Sequence, residues 1–147
     1  MTSQAPPADA LQALLAKWKQ QKIGLDPAVS ARRVREAFTA AGGQATGDLV
    51  RLYGSVGGMD DCDEDGWTLQ APEVVARSDP GGNHFGTVFS DYLHSSWFFR
   101  AKPVSKDVSE VYIDLGGHRD PTRVATSLEA FLEALASDPM SVLFPPI

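Results

Sequence analysis

Five carboxylates crowd into six residues, Asp60, Asp61, Asp63, Glu64 and Asp65, within the run Met59–Gly66. Groups this dense repel one another, so they call for a counter-charge from solvent cations, nearby arginines or a basic partner. A hard cation is the first candidate. Asp61, Asp63 and Asp65 take positions 1, 3 and 5 of a calcium loop, and Gly66 takes position 6. Such a loop needs a bidentate Glu at position 12. That position is Pro72, with Glu73 one residue late, and the following segment reads as a strand instead of an exiting helix. A calcium-responsive module is therefore a lesser alternative. The sharper expectation is contact with a cationic protein surface, because charge of this kind speeds encounter. Asp60, Asp61, Asp63, Glu64 and Asp65 are the expected partner-binding residues, and Trp67, at the loop's edge, is the expected aromatic anchor.

Other reactive residue types form no reaction centre in the sequence. Cys62 is surrounded by carboxylates that disfavour its thiolate and lower its reactivity. His84, His94 and His118 are scattered, whereas zinc sites usually pair ligands at short spacing. Asp114, His118 and Asp120 are the nearest approach to a metal set, on a glycine turn that favours Asp for its own reasons. Gly54-Ser55-Val56-Gly57 lacks the first glycine of a nucleophile elbow, since position 53 is Tyr53. Gly57-Gly58 and Gly81-Gly82 lack the Lys-Ser/Thr of a phosphate loop. The reading is no catalytic residue, no cofactor and no metal. Phe85, Phe89, Tyr92, Trp97, Phe98 and Phe99 could stack nucleic-acid bases, but only Arg100 and Lys102 stand near them. They read as sheet core, with Trp97 and Phe99 on one face and Phe98 and Arg100 on the other.

The chain has 147 residues, 43% hydrophobic and 22% charged, which suits one globular domain with its own core. No apolar run approaches the roughly 20 residues that span a bilayer. The opening MTSQAPPADA lacks the pattern of a signal peptide, and Cys62 is the sole cysteine. A cytoplasmic location is expected. The net charge of −6 is uneven. Residues 1–53 carry seven basic and four acidic side chains, and residues 54–147 carry six and fifteen. The C-terminal portion should repel nucleic acid and attract basic surfaces. Neither a nucleic-acid nor a membrane partner is expected.

These groups need elements to position them. Residues 1–8 read as a flexible leader, and 9–147 as one domain. Leu11, Leu14, Leu15 and Trp18 recur at helical spacing, with Asp9 opening the helix. Asp26-Pro27 reads as the start of a second helix, whose stripe is Val34, Ala37, Phe38 and Ala41 and whose stop is Gly42-Gly43. A third helix is expected near Gly47 to Tyr53. Trp67 to Leu69 reads as a strand, Pro72 to Ala76 as a helical turn, and 79–83 as a turn by composition. Phe85 to Phe89, Trp97 to Ala101, Glu110 to Asp114 and Arg123 to Ala125 read as strands. Thr126 with Glu129 forms a capping-box pattern ahead of Leu128, Phe131, Leu132 and Leu135, and Asp138-Pro139 ends that helix. Helices, then strands, then a helix predict an α+β fold with a central, mostly antiparallel sheet and helices packed on one face.

Taken in order, these segments resemble the SUKH superfamily, which includes yeast cell-wall synthesis regulators and many bacterial toxin-immunity proteins. The similar stretches are Leu49-Val50-Arg51-Leu52-Tyr53 before Gly57-Gly58; Trp67-Thr68-Leu69 with Pro72-Glu73-Val74-Val75; and Phe89-Ser90-Asp91-Tyr92-Leu93 with Trp97-Phe98-Phe99-Arg100. Val111-Tyr112-Ile113-Asp114 followed by Val124 to Leu132 completes them, so the resemblance spans roughly residues 28–138. The Leu-Pro pair common before the family's helix is absent, with Ala45-Thr46 in its place. The resemblance implies an α+β fold and a non-enzymatic binding role. That role is often the neutralisation of a toxin inside the producing cell, and it carries no catalytic residues. The expected function is thus an immunity protein, with a nuclease of basic active site as one candidate toxin. A regulatory or scaffold domain with an endogenous protein partner is the alternative.

Overall fold

The computed structural model describes residues 9–77, 84–117 and 119–146. The leader at 1–8, the turn at 79–83 and His118 lie outside the described residues.

Local sequence signals build most of the elements. Helix α1 (Asp9–Gln20) buries Leu11, Leu14 and Trp18, the stripe its spacing predicts. Helix α2 (Ala31–Ala40) buries Val34, Ala37 and Phe38. Its start differs from expectation. Ser30, not Asp26, is the cap, and its Oγ accepts from the Arg33 amide at 3.2 Å. Asp26-Pro27 is instead drawn into pairing with the glycine turn: the Asp26 amide donates to Gly58 O and its carbonyl accepts from the Gly57 amide. Helix α3 (Gly47–Tyr53) buries Leu49, Leu52 and Tyr53 as expected.

The strands are β1 (Trp67–Leu69), β2 (Thr87–Tyr92), β3 (Trp97–Pro103), β4 (Ser109–Asp114) and β5 (Thr122–Ala125). Helix α4 (Pro72–Arg77) follows β1. Strand β2 begins two residues later than the aromatic pattern predicts. Gly86, just before it, has φ +103° and presses so close to β3 that a Cβ there would stand 2.3 Å from the Ala101 carbonyl oxygen. Helix α5 (Leu128–Ser137) is capped by Ser127, whose Oγ accepts from the Ala130 amide at 3.0 Å. Thr126 lies one residue too early for this, so the expected capping box does not form. Asp138-Pro139 ends α5 as predicted, and Pro139, itself helical at φ −59°, opens a short α6 (Met140–Leu143) that the sequence reading did not foresee.

The five strands pair in the order β1-β2-β3-β4-β5, every pair antiparallel. This is an α+β fold. Trp67, Leu69, Phe89, Phe99, Val111 and Ile113 are buried on the sheet. A register shift between Val88 and Ser90 releases Phe89 from the ladder, and its ring meets Phe131 of α5. Phe131 is the hub of this face, with ring centroids 6.1 Å from Trp67, 6.1 Å from Phe89 and 5.2 Å from Phe99. The helices gather here, with α1 packed on α5, α2 on α4, and α3 against α5.

The other face mixes ion pairs with aromatic rings, among them Phe85 against Tyr112. Arg100 Nε donates to Asp114 at 2.7 Å, Arg123 pairs with Glu110 at 2.9 Å, and the Lys102 ammonium lies over the Tyr112 ring. Among the described residues, no helix is long and apolar enough to cross a membrane.

Truncating the hub should be costly, because three rings of this face lean on it. Phe131→Ala is expected to destabilise the protein by about 3–5 kcal/mol through lost burial and the cavity left between three rings. Urea unfolding followed by tryptophan fluorescence measures it.

Candidate functional site

The acidic loop runs from Met59 to Trp67 between the chain crossing at the Leu25–Met59 bridge and strand β1. Its acids do not act alike. Asp63 turns inward and is 6% exposed. Its Oδ2 accepts from the Trp18 indole Nε1 at 2.9 Å, and its Oδ1 accepts from the amides of Asp65 at 2.9 Å and Trp67 at 3.1 Å. A buried carboxylate needs such donors, because an unpaired one would be very costly. Trp67 is likewise not at the surface. It is 0% exposed, stacked on Trp18 at 5.7 Å, with its own Nε1 donating to Ser90 Oγ at 3.0 Å. The expected aromatic anchor is therefore a core residue. The alternation Trp67-Thr68-Leu69 carried that signal, since it places Trp67 on the same face as Leu69.

Asp65 is half-buried and paired with the Lys17 ammonium of α1 at 2.6 Å. Asp60, Asp61 and Glu64 stand exposed. The three loop positions that a calcium ion would need are thus dispersed: Asp63 faces the core, Asp65 faces Lys17, and Asp61 Oδ1 accepts from the Cys62 amide at 2.8 Å.

The backbone of the loop is tied down along its length. The Asp60 amide donates to Gly24 O, the Glu64 amide to Gln21 Oε1, and the Gly66 amide to Asp63 O. Gly66, at φ +95°, packs so tightly that a Cβ would lie 2.7 Å from the Tyr92 ring. The loop also lies along the outer edge of β1: Met59 N donates to Leu69 O, Asp63 N to Trp67 O, and Leu69 N approaches the Met59 sulfur at 3.4 Å. On the far side, Leu93 N donates to Gly66 O, which brings the β2–β3 turn alongside. That turn carries three successive left-handed residues, Leu93, His94 and Ser95. It delivers His94 to Asp61 and Cys62, so that one ligand-capable atom from each lies within 4.8 Å of the others. Sequence spacing carries no sign of this meeting.

Two groups titrate abnormally here. Burial, followed by the charge and hydrogen bonding of Asp61 and the charge of Asp63, pushes the Cys62 thiol up. Asp26 is also raised, chiefly by burial, then by its hydrogen bond and charge interaction with Asp60, and by the charge of Glu73.

No family model, curated protein or solved structure matches the chain. The geometry therefore speaks by itself: a rigid loop with some acids turned to structural use and three held in solvent.

Removing the inward carboxylate should loosen the loop and α1 together. Asp63→Ala is expected to destabilise by about 2–4 kcal/mol, since it strands the Trp18 indole and two amides. The exposed control Glu64→Gln should stay within about 0.5 kcal/mol. Denaturant melts of both variants separate the roles.

The Asp26–Asp60 pair gives a pH signature. The folded state holds the Asp26 proton more tightly than the unfolded chain, so stability falls as pH rises from the ordinary carboxylate value, about 3.9, through the raised one. Asp26→Asn should be more stable than the parent at neutral pH, with the gain fading as pH falls to about 3.9. Urea midpoints across that interval test it, and a difference independent of pH would refute the pairing.

Proposed function

We propose that the chain is a non-enzymatic protein-binding domain that acts in the cytoplasm as an immunity protein, neutralising a toxin through its basic surface. The observation that carries this reading is the exposure of Asp60, Asp61 and Glu64 on a loop whose backbone is bonded on both sides. Charge held this way is preorganised, so little conformational freedom is lost on docking. It also attracts a cationic patch from a distance and enforces selectivity against acidic surfaces. A toxin that handles nucleic acid has such a patch, and three spaced carboxylates can occupy the phosphate positions within it. The ordered resemblance to the SUKH superfamily supports the same class of function, and a free Cys62 thiol suits a reducing compartment.

The reading assigns contact to Asp60, Asp61 and Glu64. Asp63, Asp65 and Trp67 belong to the frame beneath them.

The partner to try is the product of the reading frame adjacent to this chain's own, since an immunity gene accompanies its toxin. The triple variant Asp60→Asn, Asp61→Asn, Glu64→Gln should bind it about tenfold or more weakly at low salt, and with a flatter salt dependence. Surface plasmon resonance at several ionic strengths measures both. Equal affinity of variant and parent would remove the loop from the interface.

A further inference from the structure

Cys62 and His94 lie far apart in sequence and arrive at one spot by different routes. Cys62 is carried by the acidic loop, held by the Asp60 and Glu64 amides on either side. His94 is carried by the β2–β3 turn, which is fixed by the Ser96 amide donating to Tyr92 O at 2.9 Å and by Ser96 Oγ donating to Leu93 O at 2.8 Å. Asp61 joins them. A sulfur, an imidazole nitrogen and a carboxylate oxygen thus converge, all within 4.8 Å of one another. Among the described residues this is the one such group of three.

We propose that Asp61, Cys62 and His94 form a zinc-binding site, with water completing a tetrahedral shell. The donor set selects the metal. Calcium and magnesium require oxygen ligands throughout, whereas zinc takes thiolate, imidazole and carboxylate together. Ligand atoms on a tetrahedral zinc stand about 3.5 Å apart, given bond lengths of about 2.0–2.3 Å. From a spacing of at most 4.8 Å, closing takes no more than roughly an ångström of side-chain movement. Asp61 and His94 are exposed and Cys62 is half-buried, so that movement meets little packing. The Cys62 amide already orients Asp61 through Oδ1 at 2.8 Å, the kind of outer contact that steers a metal-bound carboxylate while its second oxygen faces the ion. The surroundings favour a dication as well. Asp60, Asp63, Glu64 and Asp65 all lie within three residues of Cys62, and Lys17 pairs with just one of them.

The site goes beyond the protein-binding reading, and its test needs no partner, so either can fail without the other. Cobalt(II) titrated into the reduced full chain should produce a sulfur-to-metal charge-transfer band in the near ultraviolet and strong visible bands of a four-coordinate ion. Zinc should abolish both. Competition with a chromophoric chelator then gives zinc affinities for the parent, Cys62→Ser, His94→Asn and Glu64→Gln. Asparagine is chosen at 94 because it tolerates the left-handed backbone there, at φ +52°. Circular dichroism confirms that each variant is folded. Cys62→Ser and His94→Asn should each weaken zinc about tenfold or more, and Glu64→Gln by less than about threefold. Absence of the charge-transfer band would overturn the site. So would zinc binding that is indifferent to Cys62→Ser or His94→Asn, because the metal would then rest on carboxylates alone.

Discussion

The bond between the Asp63 carboxylate and the Trp18 indole is the contact on which the loop, the first helix and the sheet all depend. It joins residues 45 positions apart and is buried. One oxygen takes the indole of α1, while the other takes the amides of Asp65 in the loop and Trp67 at the start of β1. Trp18 in turn stacks on Trp67, and Trp67 lies edge-on to the Phe131 hub. A charged group inside a protein is normally a liability. Here its donors come from α1 and from the loop's own entry to β1, so satisfying the charge requires helix and loop to be in place together. The Lys17–Asp65 pair, one residue from Trp18 and two from Asp63, repeats the same connection at the surface, where solvent weakens it.

That arrangement explains how a self-repelling run can be rigid. The run has two sides. Acids facing the protein are spent on helix docking and amide capture, and acids facing solvent keep their charge available. A uniformly solvated loop would present the same net charge with far less positional definition. A partner would then have to order it on binding.

The fold was largely readable wherever one periodic signal stood alone. Helix α3 starts and stops at the expected residues, and β1, β3 and β4 begin at or next to theirs. Two of the departures, the starts of α2 and α5, fall where two cap-capable residues compete. Asp26 and Ser30 are both good caps, and tertiary pairing of Asp26 with the glycine turn decides for Ser30. Thr126 and Ser127 differ by one position, and only the extended backbone at Ser127 places its hydroxyl over the helix amides. Within the site, composition could not tell Asp63 from its neighbours, because its partner lies on α1. His94 left no trace either, since its nearness to Cys62 is created by the hydrogen bond between Leu93 and Gly66.

Strand β1 is an outermost strand, and such strands normally offer unsatisfied amides and carbonyls to any stray polypeptide. The acidic run closes that opening by occupying the outward-facing groups of Trp67 and Leu69 with its own backbone and side chains. Strand invasion from this flank is thereby blocked, and a row of negative charge guards the same border. The segment that carries the exposed charge thus also keeps copies of the molecule from zipping together along this edge.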